Sequence, residues 1–446
     1  MSKPLSKKIT RRQLLKAAGS VAMVSAFPTI VPSAVLGKGA PSNRINIGMI
    51  GMGRQATYAN LPPFLHSNDT KVVAVCDVDK WRLGNAKKKV DDHYKNRDCK
   101  AYTDWREVIA REDIDAIMNS TSDQWHVPIS LFAANNGKHV CSEKPLTLSV
   151  AEGRVLSDAV KKKGVVFRTD SECRSDAYMH KTAHLALNGY LGNIKRIEVG
   201  VPAGDIAGGK PGPMPIPAEL DYEMWVGPAP KKPYTVDRVH PVKSYARPGW
   251  MRCRETCEGM ITNWGTHLLD VAQQANDTER TGPVSVEGTG TYPKTGSGIW
   301  NVLLDFRLQY KYAKGVFLDY LIDSPYIRIE GDEGWIHAPW LSKQQMTAHD
   351  KSILRLKPKD SDKRLPQRMD KEDFIYGIKN NCNTMADAEV GHRTCSIGQI
   401  GHIAIQRGIK LDWDPKTERF LNDDKANEML HISYRKPWDY VTSYTG

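Results

Sequence analysis

Three groups of residues in this 446-residue chain have types and spacings suited to chemistry on a bound small molecule. The first is Gly51-Met52-Gly53-Arg54-Gln55-Ala56, which follows an apolar run and gives the pattern G-x-G-x-x-A. Gly51 suits a tight turn, Gly53 lets the backbone approach a diphosphate, and Ala56 lets the next helix pack closely on its strand. A helix starting there points its first N–H groups at the phosphates. The second is Asp77, in Val75-Cys76-Asp77-Val78-Asp79 at the end of the next apolar run. A carboxylate there accepts hydrogen bonds from ribose hydroxyls and repels a 2′-phosphate, which favours NAD. Lys80 and Arg82 stand close enough to leave NADP open. The third is the pair Asn263 and His267, whose spacing of four puts both on one face of a helix.

These residues need a scaffold, and the hydrophobic pattern supplies one. Short apolar runs at residues 44–50, 72–76, 116–119, 139–142 and 165–168 read as strands. Between them, 54–66, 80–94, 104–110, 127–136 and 149–163 read as helices. The last opens on a capping box, Ser149 with Glu152, and closes on Lys161–Lys163 and Gly164. Strands alternating with helices imply a mostly parallel sheet covered on both faces. Further strands are expected at 197–201, 284–291, 300–308, 315–321 and 326–330. The Pro/Gly-rich stretch 202–217 reads as a long loop, and 343–371 as a charged surface excursion.

Residues 1–40 are of a different character. Thr10-Arg11-Arg12-Gln13-Leu14-Leu15-Lys16 matches a twin-arginine export signal, and a weakly apolar run broken by Gly19, Pro28 and Pro32 follows. The expected location is therefore periplasmic or otherwise exported, with the twin-arginine translocase as a partner. An uncleaved membrane anchor is the alternative. The leader contains no Cys, which argues against a lipid anchor. It also holds seven Lys and Arg and no acid, so it accounts for more than half of the net charge of +12. No basic stripe interleaved with aromatics remains, and nucleic acid is not an expected partner. The eight Cys form no close metal cluster, and no metal is expected. Cys76 and Cys141 read as buried thiols. Cys253 and Cys257 leave a disulfide or a metal contact open, with loop thiols preferred.

One segment ties these features together. Gly137-Lys138-His139-Val140-Cys141-Ser142-Glu143-Lys144-Pro145, after a dinucleotide-binding half, resembles the Gfo/Idh/MocA oxidoreductase family. Thr121-Ser122-Asp123-Gln124-Trp125-His126 resembles the family's preceding loop, and the stretch from Glu258 to Asp270 its second active-site segment. The tail stretches Ala388 to Thr394 and Arg435 to Trp438 resemble an exported bacterial branch. The likeness covers roughly residues 44–440. It implies an α/β Rossmann domain followed by an α+β domain with a large, mostly antiparallel open sheet. The corresponding division is 1–40 leader, 41–170 Rossmann domain and 171–446 substrate and oligomerisation domain. The exposed sheet face often joins subunits in this family, so a homodimer or homotetramer is expected.

The resemblance also assigns roles. It implies an NAD(P)-dependent oxidoreductase acting on a secondary hydroxyl of a sugar, polyol or glycoside. Lys144 would touch both cofactor and reacting hydroxyl, Glu143 would orient it, and His267 would be the general base. Asn263 stands where the family commonly has Asp, and positions the hydroxyl instead. Gly51, Met52, Gly53, Arg54, Asp77, Thr121, Trp125 and His126 complete the expected cofactor contacts, with His126 as a wall of the site. Trp250 and Trp264 offer faces to a sugar ring, or else pack in the core. For Trp225 packing is preferred. Arg174 either holds substrate oxygens or makes an ion pair between domains. Outside the cytoplasm there is no free nucleotide pool, so a tightly held NAD is expected. Two other readings stay open: cleavage of a glycoside through transient oxidation and elimination, and a nucleotide-loaded binding protein without catalysis.

Overall fold

The runs that carry almost no polar residue are the ones that become buried on both faces. β1 (Ile45–Ile50), β2 (Thr70–Cys76), β3 (Lys100–Tyr102), β4 (Ala116–Asn119), β5 (His139–Ser142) and β6 (Phe167–Thr169) form one sheet in the order β3-β2-β1-β4-β5-β6. Every pairing in it is parallel. That order, with helices crossing between strands, is the doubly wound arrangement that binds nucleotides at the carboxyl ends of β1 and β4. The structure is a computed structural model describing residues 44–439. The twin-arginine stretch and the rest of the expected leader lie outside the described residues.

Local signals explain the crossover helices. Asp79 caps α1 (Lys80–Tyr94) by accepting from the N–H groups of Trp81 and Arg82. α2 (His126–Asn135) is buried along nearly its whole length. α3 (Val150–Lys163) starts with the Ser149–Glu152 capping box and stops at Gly164 in the left-handed conformation.

The second sheet has nine strands in the order β13-β12-β11-β7-β10-β9-β8-β14-β15. Its central members are β7 (Ile194–Val201), β8 (Ser285–Thr291), β9 (Asp305–Lys311), β10 (Phe317–Ile322), β11 (Tyr326–Gly331) and β12 (Trp335–Pro339). The short edge strands are β13 (Thr347–Ala348), β14 (Leu411–Asp414) and β15 (Arg419–Phe420). Only β7 and β10 pair in parallel; the other pairs are antiparallel. β9 shows why one face is open. Phe306, Leu308 and Tyr310 point to the core, while Asp305, Arg307, Gln309 and Lys311 are exposed. α4 (Ala177–Leu187), α5 (Gly265–Ala275) and α7 (Ala388–Arg407) cover the other face, in one core with Ile197, Leu268 and Ile400.

Two expectations are corrected. Residues 300–304 do not join β9. Trp300 instead donates from Nε1 to Asp237 O at 2.8 Å, which ties this stretch to the loop region. Lys371, read as the end of a surface excursion, opens α6 (Asp370–Asn380) and is buried. Its ammonium is held by Asp170 and, at 2.9 Å, by Asp370. No helix among the described residues is long and apolar enough to cross a membrane.

Candidate active site

The carboxyl ends of β1 and β4 open into a cavity of about 420 Å³. Gly51 and Gly53 form its rim. Gly51 has φ +80°, and a Cβ there would lie 2.8 Å from the Ser120 carbonyl, so only glycine fits without strain. A Cβ on Gly53 would meet no atom within 4 Å. The space over Gly53 is therefore free for the close approach of a diphosphate, and Arg54 lines the same wall. Asp77 is buried beyond β2. Its Oδ2 accepts from Met52 N at 2.6 Å and its Oδ1 from Asp79 N at 2.8 Å. Burial pushes this carboxyl up to about 6, against those two N–H donors. Met52, expected among the cofactor contacts, does not line the cavity: its N–H is taken by Asp77 and its side chain packs in the core. These residues fit an adenosine diphosphate ribosyl group: an open glycine turn for the phosphates and a carboxylate at the ribose position.

The loop after β4 and the Glu143-Lys144-Pro145 segment after β5 make the opposite wall. Thr121 Oγ1 donates to Asn119 Oδ1 at 2.8 Å. Trp125 Nε1 donates to Trp225 O at 3.1 Å. Trp225, expected only to pack, is buried and also lines the cavity. His126 is buried with Nδ1 2.7 Å from Pro145 O and Nε2 3.1 Å from Thr121 O, so it braces the two loops. Burial lowers its pKa. Glu143 is not bonded to the lysine it was expected to orient. Its Oε1 accepts from Asn60 Nδ2 at 2.8 Å. Lys144 Nζ instead donates to the backbone O of Asn263 at 2.9 Å, across the domain boundary.

The second domain presents Asn263 and Trp264 to the cavity, with Trp250 nearby. Asn263 ends a short helical turn, Met260–Asn263, and Trp264 joins it to α5. His267 lies behind this wall rather than in it. Its ring packs 4.8 Å from that of Trp340, and its Nδ1 is buried without a hydrogen-bond partner. Burial first, and then the charge of Lys144, holds its pKa well below the usual histidine value, so the imidazole is neutral. Of the two readings of Arg174, the structure shows an ion pair, made within the second domain and not between domains, and no substrate contact. Arg174 is 2% exposed, and its guanidinium is gripped by Asp270 and by Glu279 at 2.6 Å. His392 pairs with Glu418 at 2.7 Å.

Several cavity residues went unassigned in the sequence. Asp123 sits in the quoted loop, yet only the structure shows its setting. It is buried, one oxygen has no partner, and burial pushes it up to about 8. Arg82, His240, Tyr245 and Arg247 also line the cavity. Arg82 Nη2 donates to His240 Nδ1 at 3.0 Å and to Ser244 O at 2.8 Å. It is therefore engaged by the second domain. The eight cysteines are all free thiols, and Cys253 and Cys257 are buried.

Known proteins share this architecture. A family profile described as the oxidoreductase family NAD-binding Rossmann fold matches residues 45–171, and its C-terminal alpha/beta domain matches residues 208–440. An alpha-N-acetylgalactosaminidase of Shewanella oneidensis is 28% identical over 184 residues, 37% of this chain and 38% of that protein. A glycosyl hydrolase family 109 protein of Shewanella baltica is 30% identical over 186 residues, with the same coverage. The likeness thus spans well under half the length of these curated relatives. An aldose-aldose oxidoreductase from Caulobacter crescentus, complexed with glycerol, superposes with TM-score 0.61 at 17% identity, covering 83% of this chain and 99% of that one. The WlbA dehydrogenase from Bordetella pertussis, in complex with NADH and UDP-GlcNAcA, gives TM-score 0.61 at 15% identity, covering 83% and 98%. At such identities the likeness is one of fold. The two family domains together span most of the chain, and the protein belongs to the Gfo/Idh/MocA oxidoreductase family.

Proposed function

We propose that the protein is an exported oxidoreductase that keeps its NAD and acts on a secondary hydroxyl of a carbohydrate. The observation that carries this reading is one cavity with the Gly51–Gly53 turn and Asp77 at one end and Lys144 against Asn263 at the other. NAD, when bound, supplies the hydride acceptor and donor. The chain's own residues do the rest. Lys144 Nζ holds the substrate hydroxyl and moves its proton. Asn263 positions a neighbouring hydroxyl, and as an amide it takes no proton. His267, uncharged and one helical turn deeper, backs the turn that carries Asn263 and Trp264 and does not line the cavity. Trp250 and Trp264 give apolar faces to a ring.

Asp77 supports NAD over NADP, because its charge repels a 2′-phosphate and Arg82 is already bonded to His240, Pro241 O and Ser244 O. Retention is supported by residues 219–244 of the second domain, which bond to Lys80 and Arg82 beside Asp77. Export is supported by the twin-arginine stretch and by the need for a loaded cofactor outside the cytoplasm. The open, charged face of β9 and its neighbours suits a homodimer or homotetramer.

The second reading is glycoside cleavage by transient oxidation. The named relatives of the glycosyl hydrolase 109 type favour it. One set of measurements separates the two. Protein from a twin-arginine-competent host is denatured and the released nucleotide identified. The intact holoprotein is then offered monosaccharides and glycosides while the near-ultraviolet absorbance of the reduced nicotinamide is followed. Net carbonyl product supports the redox reading. Free aglycone without carbonyl product supports cleavage. Protein that releases no nucleotide and binds none when NAD is added rules out both.

A further inference from the structure

The wall beyond Asn263 holds two arginines and one carboxylate. Asp205, 1% exposed at its side chain, lies between Arg247 at 3.6 Å and Arg252 at 3.9 Å. Both separations are too long for hydrogen bonds. Asp205 Oδ2 is taken by Met260 N at 2.9 Å, and its Oδ1 is buried without a partner. Met260 opens the helical turn that ends at Asn263, so this carboxylate sets both guanidiniums beside that turn, with Arg247 on the cavity and Arg252 behind it.

The arginines keep most of their donors uncommitted. Arg247 lines the cavity, and besides the 3.6 Å ion pair with Asp205 its guanidinium makes a 4.0 Å contact with Met260 Sδ. Arg252 has a long bond to Gly204 O at 3.4 Å, lies over the Trp300 ring at 4.7 Å, and leaves Nε buried and unpartnered. Burial, and then the charge of Arg247, pulls the Arg252 pKa below its usual value. The pair therefore carries an uncompensated positive charge that an oxyanion would relieve. Planar guanidiniums match a carboxylate in a two-point contact.

We propose that Arg247 and Arg252 form a subsite for a carboxylate on the sugar, and that the substrate is an acidic carbohydrate of the uronate type. The proposal rests on the carbohydrate-oxidising reading above. The cofactor diphosphate is the other oxyanion available, but its place is over Gly53 beside Arg54, in the first domain. Arg247 and Arg252 are fixed to the second domain through Asp205 and Met260.

The test uses holoprotein with its nucleotide in place. D-glucuronate and D-galacturonate are titrated against D-glucose and D-galactose, with fluorescence of the reduced nicotinamide as readout. The uronates are expected to bind at least about tenfold tighter, a preference that shrinks as salt rises. Arg247→Gln is expected to weaken uronate binding at least about tenfold more than neutral-sugar binding, and so to remove the preference. Arg247 is partly exposed, so this variant does not depend on a buried site refolding. Neutral sugars binding as well as the uronates would overturn the proposal and leave the carbohydrate reading standing. An Arg247→Gln variant that loses nucleotide but keeps the preference would assign the arginine to the diphosphate. A loaded protein whose nicotinamide responds to neither class would remove the carbohydrate reading, and the subsite with it.

Discussion

The two ends of the cavity are built on opposite principles. At the adenosine end the first domain is bonded to a segment of the second, although Arg82 Nε and the Tyr245 hydroxyl stay buried without hydrogen-bond partners. Lys80 N donates to Glu219 O at 2.9 Å and Asp221 N to Val78 O at 3.0 Å, so the second domain's segment lies directly against the start of α1. Arg82 bonds to three groups of that segment and sits 5.2 Å from the Tyr245 ring, which in turn meets Tyr58 and Trp81. At the substrate end key groups are left without partners: His267 Nδ1, one oxygen of Asp123, Nε of Arg252. Buried polar groups without partners cost stability unless a ligand completes them. The difference teaches that one end is made to hold its occupant and the other to exchange it.

The sharpest way to test that division is at Lys144. Lys144→Ala is expected to cut turnover on any responsive sugar by about a thousandfold, the range for loss of a positioned proton carrier. Bound nucleotide and thermal stability should stay near wild type, because the lysine meets the second domain through one hydrogen bond, to the backbone O of Asn263. Single-turnover absorbance together with nucleotide content measures both. Loss of nucleotide in this variant would move Lys144 to the holding end.

Arg82→Ala probes the other end. It removes three hydrogen bonds from a buried side chain, with an expected loss of about 3 kcal/mol in unfolding by urea. Nucleotide should also escape on gel filtration. Normal retention with only the stability loss would show that the strap packs without holding the cofactor.

The two ends also differ in how far the sequence discloses them. The Gly51–Gly53 turn, Asp77 and Lys144 are legible because each answers a chemical demand within a short local pattern. The same holds for the Ser149–Glu152 cap and for the parallel strands, whose apolar runs leave little choice. The clamp is not legible. Arg82 meets His240 across 158 residues, through a segment with no helical or strand period. Trp300 and its neighbours carry strand-like residues, yet the bond to Asp237 keeps them off β9. β3, β13 and β15 are edge strands of two or three residues, too short to show a period, and β14 carries two aspartates in four residues. Lys371 looked like surface because its two acidic partners, Asp170 and Asp370, become neighbours only in the fold. Arg174 fails for the same reason, with Asp270 96 residues away.

Asp123 and His240 titrate with opposite signs. Asp123 is pushed up to about 8 by burial, so between the unfolded carboxyl range near 4 and about 8 the folded state keeps a proton the unfolded chain has lost. Stability from this group is full below that window and falls as pH rises through it, by up to about 1.4 kcal/mol per pH unit. His240 is pulled down to about 4 by burial and Arg82, so its contribution is lost as pH falls from the unfolded value toward 4. Asp123→Asn should therefore flatten the decline in melting temperature between pH 5 and 8. Some slope should remain, because burial also pushes Glu152 up to about 8. An unchanged slope would mean that Asp123 is ionised in the folded protein and belongs with the charged groups around Lys144.

The smallest effect calibrates the rest. Ser149 lies at the start of α3, lines neither end of the cavity, and caps Glu152 N while Glu152 Oε1 accepts from Ser149 N at 3.1 Å. Ser149→Ala should cost about 1 kcal/mol in urea unfolding, as a lost N-cap does elsewhere. It should leave nucleotide retention and turnover as they are. That combination is what separates a fold contact from a clamp: Arg82→Ala must lose nucleotide beyond what its own destabilisation explains, and Ser149→Ala gives the reference for destabilisation alone. If the cap variant also shed nucleotide, retention would follow global stability, and the adenosine end would have no special hold on its ligand.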